Sequence, residues 1–288
     1  MEKLKKYIDF TTVCPETDIG CGVPRKPLRL VMDGNRVRML QHETGSDVTD
    51  AMQRYTNDTL SRITGVDGIL LKERSPSCGT AQVKIYSANK KGAAVLKKGS
   101  GIFGGALKEA LPFIPCSSEG HLYNFALREH FYTAIFTLAR FRATHASLRI
   151  GNLVDFHARH KFILMSYNQT CMRQMGNVTA NHVGREASAV FDDYHRLLLR
   201  ALVRPPRLQS PVNVLMHGLG YFREKVSAAE KKYFINSLDF YKEKKIPLST
   251  CNAILQSWII RFNERYLASQ YFFNPFPEEL IELSDSGK

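Results

Sequence analysis

Two short segments of the chain place thiol, carboxyl and hydroxyl groups close together in sequence. Cys14 is followed two residues later by Glu16, and Cys78 stands in a loop that also holds Ser75 and Ser77. Each segment follows directly on an apolar, β-branched run. Loops at the carboxyl ends of parallel strands are where α/β proteins bind ligands. The two cysteines are therefore predicted to belong to one site.

The spacing of the cysteines bears on which metal they could hold. Thiolates bind soft or borderline metals: zinc, copper(I) and iron–sulfur clusters. Paired C-x-x-C knuckles, the usual zinc signature, are absent from the sequence. Single cysteines on separate loops fit a cluster in a cleft better than a zinc finger, and ordinary buried thiols are the alternative. Three further cysteines are interpreted as structural: Cys116, Cys171 and Cys251.

Strand and helix patterns alternate over the first 120 residues. The β-branched runs are residues 7–13 and 68–71, and further strands are predicted at 28–32 and 82–86. Helices are predicted from Ser46 or Asp47 to Gly65 and over 104–111. Strand–helix–strand order implies parallel pairing through right-handed crossovers. We therefore predict an α/β, Rossmann-like parallel sheet domain over residues 1–120.

Beyond residue 120 the strand signal almost disappears. Apolar residues recur at helical spacing in six segments, which are 128–142, 153–175, 187–203, 212–226, 227–245 and 250–262. Ser227 and Glu230 form a capping-box sequence at the start of the fifth segment. The pattern predicts an all-α helical domain over residues 121–288.

Length, charge and hydropathy narrow the class of protein. A chain of 288 residues suits two domains, and its net charge of +13 is spread over both halves. The densest basic runs lie in helical patterns, so a solvated helix face is the ordinary interpretation and an anionic partner such as RNA the alternative. No apolar run approaches the roughly 18 residues that span a bilayer, and no signal-type stretch follows the amino terminus. We expect a cytoplasmic protein with reduced cysteines and no membrane partner.

Several motifs of the first half together resemble one family. They are residues 13–16 (VCPE), 19–25 (IGCGVPR), 71–79 (LKERSPSCG), 101–103 (GIF) and 114–120 (IPCSSEG). In combination they resemble the thiouracil desulfurase (TudS-like) family, and the resemblance covers residues 7 to about 122. It implies a Rossmann-like domain that holds a 4Fe–4S cluster with only three cysteines, so that one iron is left open to bind sulfur.

The resemblance also implies roles for individual residues. Cys14 and Cys78 would be two of the cluster ligands, and the substrate would be a small thiolated nucleobase such as thiouracil. Coordination would polarise the C=S carbon so that water adds there. Glu16, two residues past a ligand, would shuttle protons. Ser75 and Ser77 would hold the polar edge of the substrate.

The third ligand of such a cluster is not evident in the sequence. In the family it lies in a Ser-x-Cys-Leu-Leu-Gly type of segment on a strand before Cys14, and the sequence has no such segment. This predicts an N-terminally shortened domain, with three interpretations: the true start lies upstream, the cluster site is degenerate, or Cys21 is the third ligand. The alternative for Cys21 is a small buried apolar residue beside Gly22.

The second half resembles a different domain. Residues 154–162 (VDFHARHKF), 213–222 (NVLMHGLGYF) and 271–277 (YFFNPFP) resemble the YbgA-like domain of unknown function over about 124–283. That domain often follows a desulfurase-like one, and the resemblance implies no activity.

Histidines of this half have more than one interpretation. His157 and His160 share a helix face and could bind a metal with His217 or Asp155. Burial and hydrogen bonding between helices is the alternative, and an anion such as a phosphate is a third. Two aromatic residues, Tyr241 and Trp258, are interpreted as core or interface.

Three functions are compatible with these patterns. The first is an iron–sulfur desulfurase acting on a thiolated nucleobase, with a helical accessory domain. The second is a catalytically inactive binding or regulatory protein with a degenerate cluster site. The third is a basic RNA-interacting module, which no nucleic-acid motif supports.

Overall fold

The computed structural model describes residues 3–180 and 184–282, which divide into two compact units. The first unit comprises the described residues up to Arg128 together with Glu282, and the second is Glu129–Ile281. The first contains strands and helices, whereas no strand occurs among the described residues of the second. An α/β unit followed by an all-α unit is thus confirmed.

The α/β unit has a four-stranded mixed sheet and a separate parallel pair of strands. The strands are β1 (Leu28–Asp33), β2 (Arg36–Gln41), β3 (Ile69–Leu71), β4 (Val83–Tyr86), β5 (Val95–Gly99) and β6 (Cys116–Ser118). The four-stranded sheet has the order β2-β1-β4-β5. The β1–β4 and β3–β6 pairs are parallel, as expected, whereas β1–β2 and β4–β5 are antiparallel. Three strands, β2, β5 and β6, were not predicted. The antiparallel pairs arise because β2 and β5 each directly follow their partner strand along the chain.

One predicted strand of the α/β unit is wrong. Residues 7–13 form no regular secondary structure, although their β-branched composition favours a strand. Phe10 and Val13 remain 40% and 47% exposed. These residues have no partner strand with which to form hydrogen bonds. Tertiary context therefore overrides their intrinsic preference for a strand.

Three helices complete the α/β unit, namely α1 (Pro15–Asp18), α2 (Thr49–Arg62) and α3 (Ile102–Ala110). The helix predicted here is confirmed as α2, but its N-cap residue is Val48 and it ends before Gly65. Asp47 accepts a hydrogen bond from the backbone N–H of Thr49 at 2.9 Å. Met52 of α2 and Phe103 of α3 are fully buried in one core with Leu30 and Met39 of the sheet. Both longer helices are therefore fixed to the sheet by apolar packing.

The amino end of α3 lies directly against the loop that contains Cys78. The backbone N–H groups of Gly101 and Gly104 donate to the carbonyl oxygens of Gly79 (2.7 Å) and Ser77 (2.9 Å). A side chain at Gly104 would collide with the Cys78 carbonyl oxygen. Only glycine permits this approach, so α3 fixes the backbone of the loop.

The second unit is built from helices, and the first of these begins four residues before the unit does. They are α4 (Phe125–His145), α5 (Ile150–Tyr167), α6 (Gln169–Ala180), α7 (Ala187–Leu202), α8 (Gln209–Gly220), α9 (Ala228–Lys242), α10 (Leu248–Arg261) and α11 (Arg265–Ala268). Their shared core includes Tyr194, Phe191 and Trp258, together with Cys171 and Cys251. Of these, Cys171, Cys251 and Trp258 lie where the sequence predicts them.

Two helix predictions differ from the structure. The segment predicted as one helix over 153–175 is two, because the chain is extended at Asn168, whose side-chain oxygen accepts a hydrogen bond from the N–H of Cys171 at 3.0 Å. The helix predicted over 212–226 ends at Gly220. The capping box of Ser227 and Glu230 is confirmed at the start of α9. Throughout the described residues, each helix is too short or too polar to cross a membrane.

We expect Gly104→Ala to loosen the Cys78 loop, because the added methyl group collides with loop backbone that cannot move without losing hydrogen bonds. Strain of this kind costs about 2 kcal/mol. Hydrogen exchange followed by mass spectrometry should show faster amide exchange in residues 75–79, by about tenfold or more.

Gly105→Ala is the matched control on the same helix. Its added methyl group meets the side chain of Ser100, which can rotate away. Exchange in residues 75–79 should stay at the wild-type rate. Equal exchange in the two variants would contradict a fixed loop.

Candidate active site

Cys14 lies at the amino end of α1 with its sulfur close to two hydrogen-bond donors. The hydroxyl of Thr17 donates to Sγ at 3.1 Å, and Arg25 Nη1 donates to it at 3.4 Å. The proline at the first position of α1 is compatible with a helix start, where no intrahelical N–H bond is lost. The short helix therefore places Thr17 one turn after the cysteine.

The surroundings of Cys14 favour its thiolate. Partial burial raises the pKa of Cys14, but hydrogen bonds from the side chain and backbone of Thr17 and the charge of Arg25 outweigh it. The net result is a pKa below that of an ordinary cysteine. A thiolate is the form that attacks electrophiles and binds metals.

Glu16 is the centre of a network that joins the two segments. Its Oε2 lies 2.7 Å from Arg25 Nε, and its Oε1 accepts a hydrogen bond from the Ser77 hydroxyl at 2.6 Å. Its side chain is 13% exposed. A largely buried carboxylate with a cation on one oxygen and a hydroxyl on the other is held in a single position.

The loop after β3 presents its polar groups toward Glu16. The hydroxyls of Ser75 and Ser77 are 2.8 Å apart, and Ser75 Oγ also accepts the backbone N–H of Cys78 at 3.2 Å. Ser75 Oγ lies 3.4 Å from Glu16 Oε1. Cys78 therefore belongs to the same constellation as Glu16. Its position after β3 agrees with the prediction, whereas Cys14 follows no strand.

The other two thiols near Glu16 are less acidic than Cys14. Burial raises the pKa of Cys78 despite a hydrogen bond from Ser77, and the charges of Glu16 and Cys14 raise it further. Burial and the charge of Glu16 also raise the pKa of Cys21. Cys21 packs against the core of the α/β unit. This packing agrees with the apolar interpretation of Cys21, although the residue is only partly buried.

The donor set can be compared with what an iron–sulfur cluster needs. Cys14 and Cys78 lie beside the same carboxylate, and the thiolate of Cys14 is stabilised. Within residues 3–180 and 184–282, however, no group of three or more His, Cys, Asp or Glu side chains is arranged to hold a metal ion. The described residues thus provide two thiol donors but do not form a three-ligand site.

Two residues of this network were not singled out from the sequence. Arg25 contacts both Glu16 and Cys14, and Thr17 contacts Cys14. Arg25 belongs to the 19–25 motif, so its presence in the motif was the available signal. Nothing in the sequence specifies that it bends back to Glu16, nine positions earlier.

The histidines of the helical unit fit the hydrogen-bonded alternative. His157 Nδ1 lies 3.1 Å from the Tyr194 hydroxyl, and His160 Nδ1 lies 2.7 Å from the carbonyl oxygen of Phe156. His217 is exposed on α8. No metal-binding group containing these histidines is found in the described part of the chain. The side chain of Trp258 lies in the core of the helical unit, and Tyr241 packs against that core, as predicted.

Comparisons with known proteins agree with this division. Residues 1–119 match the 2-thiouracil desulfurase family, and residues 161–277 match a family described as a protein of unknown function, DUF1722. The chain is 26% identical to the uncharacterized protein YbgA of Escherichia coli K12 over 159 residues, which are 52% of this chain and 94% of YbgA. It is 29% identical to the uncharacterized protein YbbK of Bacillus subtilis 168 over 119 residues, 38% of this chain and 76% of YbbK.

No solved structure matches the chain significantly. Each family match covers one of the two parts of the chain whose motifs and folds are described above. The match to YbgA supports the assignment of the second part. The chain therefore joins a domain similar to the 2-thiouracil desulfurase family to a YbgA-like domain of unknown function.

Proposed function

We propose that the α/β unit removes sulfur from a small thiolated nucleobase such as 2-thiouracil. The observation that carries the proposal is the 2.6 Å hydrogen bond between Ser77 and Glu16, which brings the two cysteine segments together. The family match of residues 1–119 supports the same reaction class. The site thus combines two thiols, one carboxylate and two hydroxyls in one constellation.

The proposed reaction is a hydrolysis. Water adds to the carbon of the C=S group, the carbon–sulfur bond breaks, and the oxygen of water remains as a carbonyl. Sulfur leaves at the oxidation level of sulfide and takes the two protons of water. The net products are the nucleobase with C=O in place of C=S and hydrogen sulfide. No oxidant or reductant is needed.

Glu16 is proposed to move the proton in this reaction. Its Oε2 is engaged by Arg25, which leaves Oε1 on the side of the two serines to take up a proton from the attacking water. The hydroxyls of Ser75 and Ser77 would hold the polar edge of the nucleobase through hydrogen bonds. Arg25 keeps Glu16 in place, so Arg25 is a positioning residue.

The proposed cofactor is a 4Fe–4S cluster with Cys14 and Cys78 as two of its ligands. Such a cluster would supply an iron with affinity for sulfur. Cys21 is a further thiol near Cys14, since the charge of Cys14 contributes to the raised pKa of Cys21. The helical unit is proposed to be accessory, and the six unpaired cysteines agree with the reducing, cytoplasmic location that we infer.

Glu16→Gln should abolish most of the uracil formation from 2-thiouracil. The amide keeps the size of the side chain but cannot take up a proton, and loss of a general base costs about 100-fold or more in rate. The measurement is uracil release by liquid chromatography, with enzyme purified and assayed without oxygen. Wild-type iron content in the variant would show that the loss is catalytic.

Glu109→Gln is the matched control, because Glu109 is exposed on α3 and the substitution removes the same charge. Its rate should equal that of the wild type. A Glu16→Gln enzyme as active as this control would contradict the proposed role of Glu16.

Cys14→Ser and Cys78→Ser should each lower the iron bound after anaerobic reconstitution with iron and sulfide. A serine hydroxyl is a poor ligand for a cluster, and we expect a drop of about tenfold in iron per chain. The readouts are iron and sulfide content and the visible absorbance, which do not depend on activity. Cys116→Ser is the control, since Cys116 is exposed on β6.

Cys21→Ser decides between the two interpretations of Cys21. Iron content as low as in Cys14→Ser would make Cys21 a ligand, whereas unchanged content would make it a packed thiol. A wild-type protein that stays colourless and free of iron would overturn the cluster assignment for this chain.

A further inference from the structure

The helical unit contains a cavity that the proposed desulfurase chemistry does not use. Its volume is about 370 Å³, within the range of small-molecule sites. Its walls come from α4, from α5 and from the segment after α11. The residues that matter for its chemistry are Arg140, Asp155, Phe156, Arg159, His160 and Tyr271.

Two guanidinium groups converge on this cavity. Arg140 and Arg159 lie over the ring of Tyr271, at 4.0 and 4.7 Å from its centre. Arg159 has a loose ion pair with Asp155 at 3.8 Å, whose side chain is 68% exposed. Asp155 therefore screens Arg159 only weakly.

Arg140 is the less compensated of the two cations. Its Nη1 atom is buried and has no hydrogen-bonding partner among the described residues. Burial lowers the pKa of Arg140, and the positive charge of Arg159 lowers it further. A buried donor on a cation is costly when left unpaired, so an anion in the cavity would stabilise this arrangement.

His160 adds a second unpaired atom, which is a hydrogen-bond acceptor where Arg140 has a donor. Its ring is 1% exposed and is stacked between Phe156, with ring centres 3.9 Å apart, and Tyr271, with ring centres 4.5 Å apart. Its Nδ1 lies 2.7 Å from the Phe156 carbonyl oxygen. A carbonyl oxygen can only accept, so Nδ1 carries the proton.

The protonation of His160 defines what its other nitrogen can do. Burial lowers the pKa of His160 to about 3, so the ring is neutral at physiological pH. With the proton on Nδ1, Nε2 is a hydrogen-bond acceptor. Nε2 is also buried without a partner among the described residues. Two residues that line the cavity therefore carry an unpaired cationic donor and an unpaired neutral acceptor.

We propose that this cavity binds a small molecule carrying a protonated phosphate group, either free phosphate or a phosphate monoester. The phosphate oxygens would accept from Arg140 and Arg159, and the P–O–H group would donate to His160 Nε2. One group thus supplies both the charge and the proton. The volume leaves space beyond the phosphate for the organic part of a monoester.

The same geometry discriminates between similar anions. Sulfate has the size and charge of phosphate but no proton near neutral pH, so it cannot donate to His160. A phosphodiester, including a nucleic-acid backbone, has no P–O–H group either. Both would leave Nε2 unpaired, which costs affinity.

Titration calorimetry on the full chain near pH 6 tests the proposal, since a phosphate monoester is about half protonated there. Inorganic phosphate and glycerol 3-phosphate are the ligands, and sulfate and dimethyl phosphate are the comparison anions. We expect at least one of the two ligands to bind about tenfold more tightly than both comparison anions. The tighter of the two identifies free phosphate or a monoester as the source.

Two variants locate the binding, with the tighter ligand as the probe. Arg140→Gln should weaken its affinity by about tenfold, whereas Arg265→Gln, which removes an exposed arginine, should leave it unchanged. His160→Phe keeps the stacking and removes the acceptor, so it should abolish the preference over sulfate while sulfate affinity stays within about threefold.

Several results would overturn the proposal, and the first needs no variant. Wild-type protein that binds neither phosphate ligand, or that binds sulfate equally well, contradicts it. So does an equal effect of Arg265→Gln and Arg140→Gln. A His160→Phe protein that still prefers the phosphate ligand would exclude His160 as the discriminating group.

Discussion

The α/β unit depends on the close approach between the amino end of α3 and the Cys78 loop. Backbone donors of the helix satisfy loop carbonyl groups, and the absence of a side chain at Gly104 allows the two backbones to meet. The loop then offers its serine hydroxyls to Glu16 at fixed positions. A site formed by loops gains precision when one loop is held by a rigid element, and α3 is that element here.

Much of this architecture could be predicted from the sequence, for identifiable reasons. Long apolar periodicities gave the helices of the second unit, and Ser227 with Glu230 marked a helix start because capping is a local interaction. The strands β2, β5 and β6 were missed because each is defined by its pairing with β1, β4 or β3. Residues 7–13 were wrongly predicted as a strand, because their strand propensity is not matched by a neighbouring strand with which they could pair.

The candidate site was predictable in its residue types but not in its connections. Thiols, a carboxylate and hydroxyls in two segments indicated one constellation, and the structure places Glu16 against Ser77. The role of Arg25 could not be read from spacing, because an arginine reaches its partners through long-range packing. The unpaired atoms of Arg140 and His160 were likewise invisible in the sequence. Burial is a property of the folded helices and not of the residue types.

Arg25 is shared between two acidic groups, and this has an electrostatic consequence for the site. Its guanidinium contacts the Glu16 carboxylate and the Cys14 sulfur. One positive charge can neutralise only one of two negative groups, so the local balance of these three side chains is negative when both are ionised. An anionic ligand would be repelled by such a surrounding, whereas an uncharged one would not. The arrangement therefore favours the uncharged protonation state of a ligand over its anion before any specific contact is made.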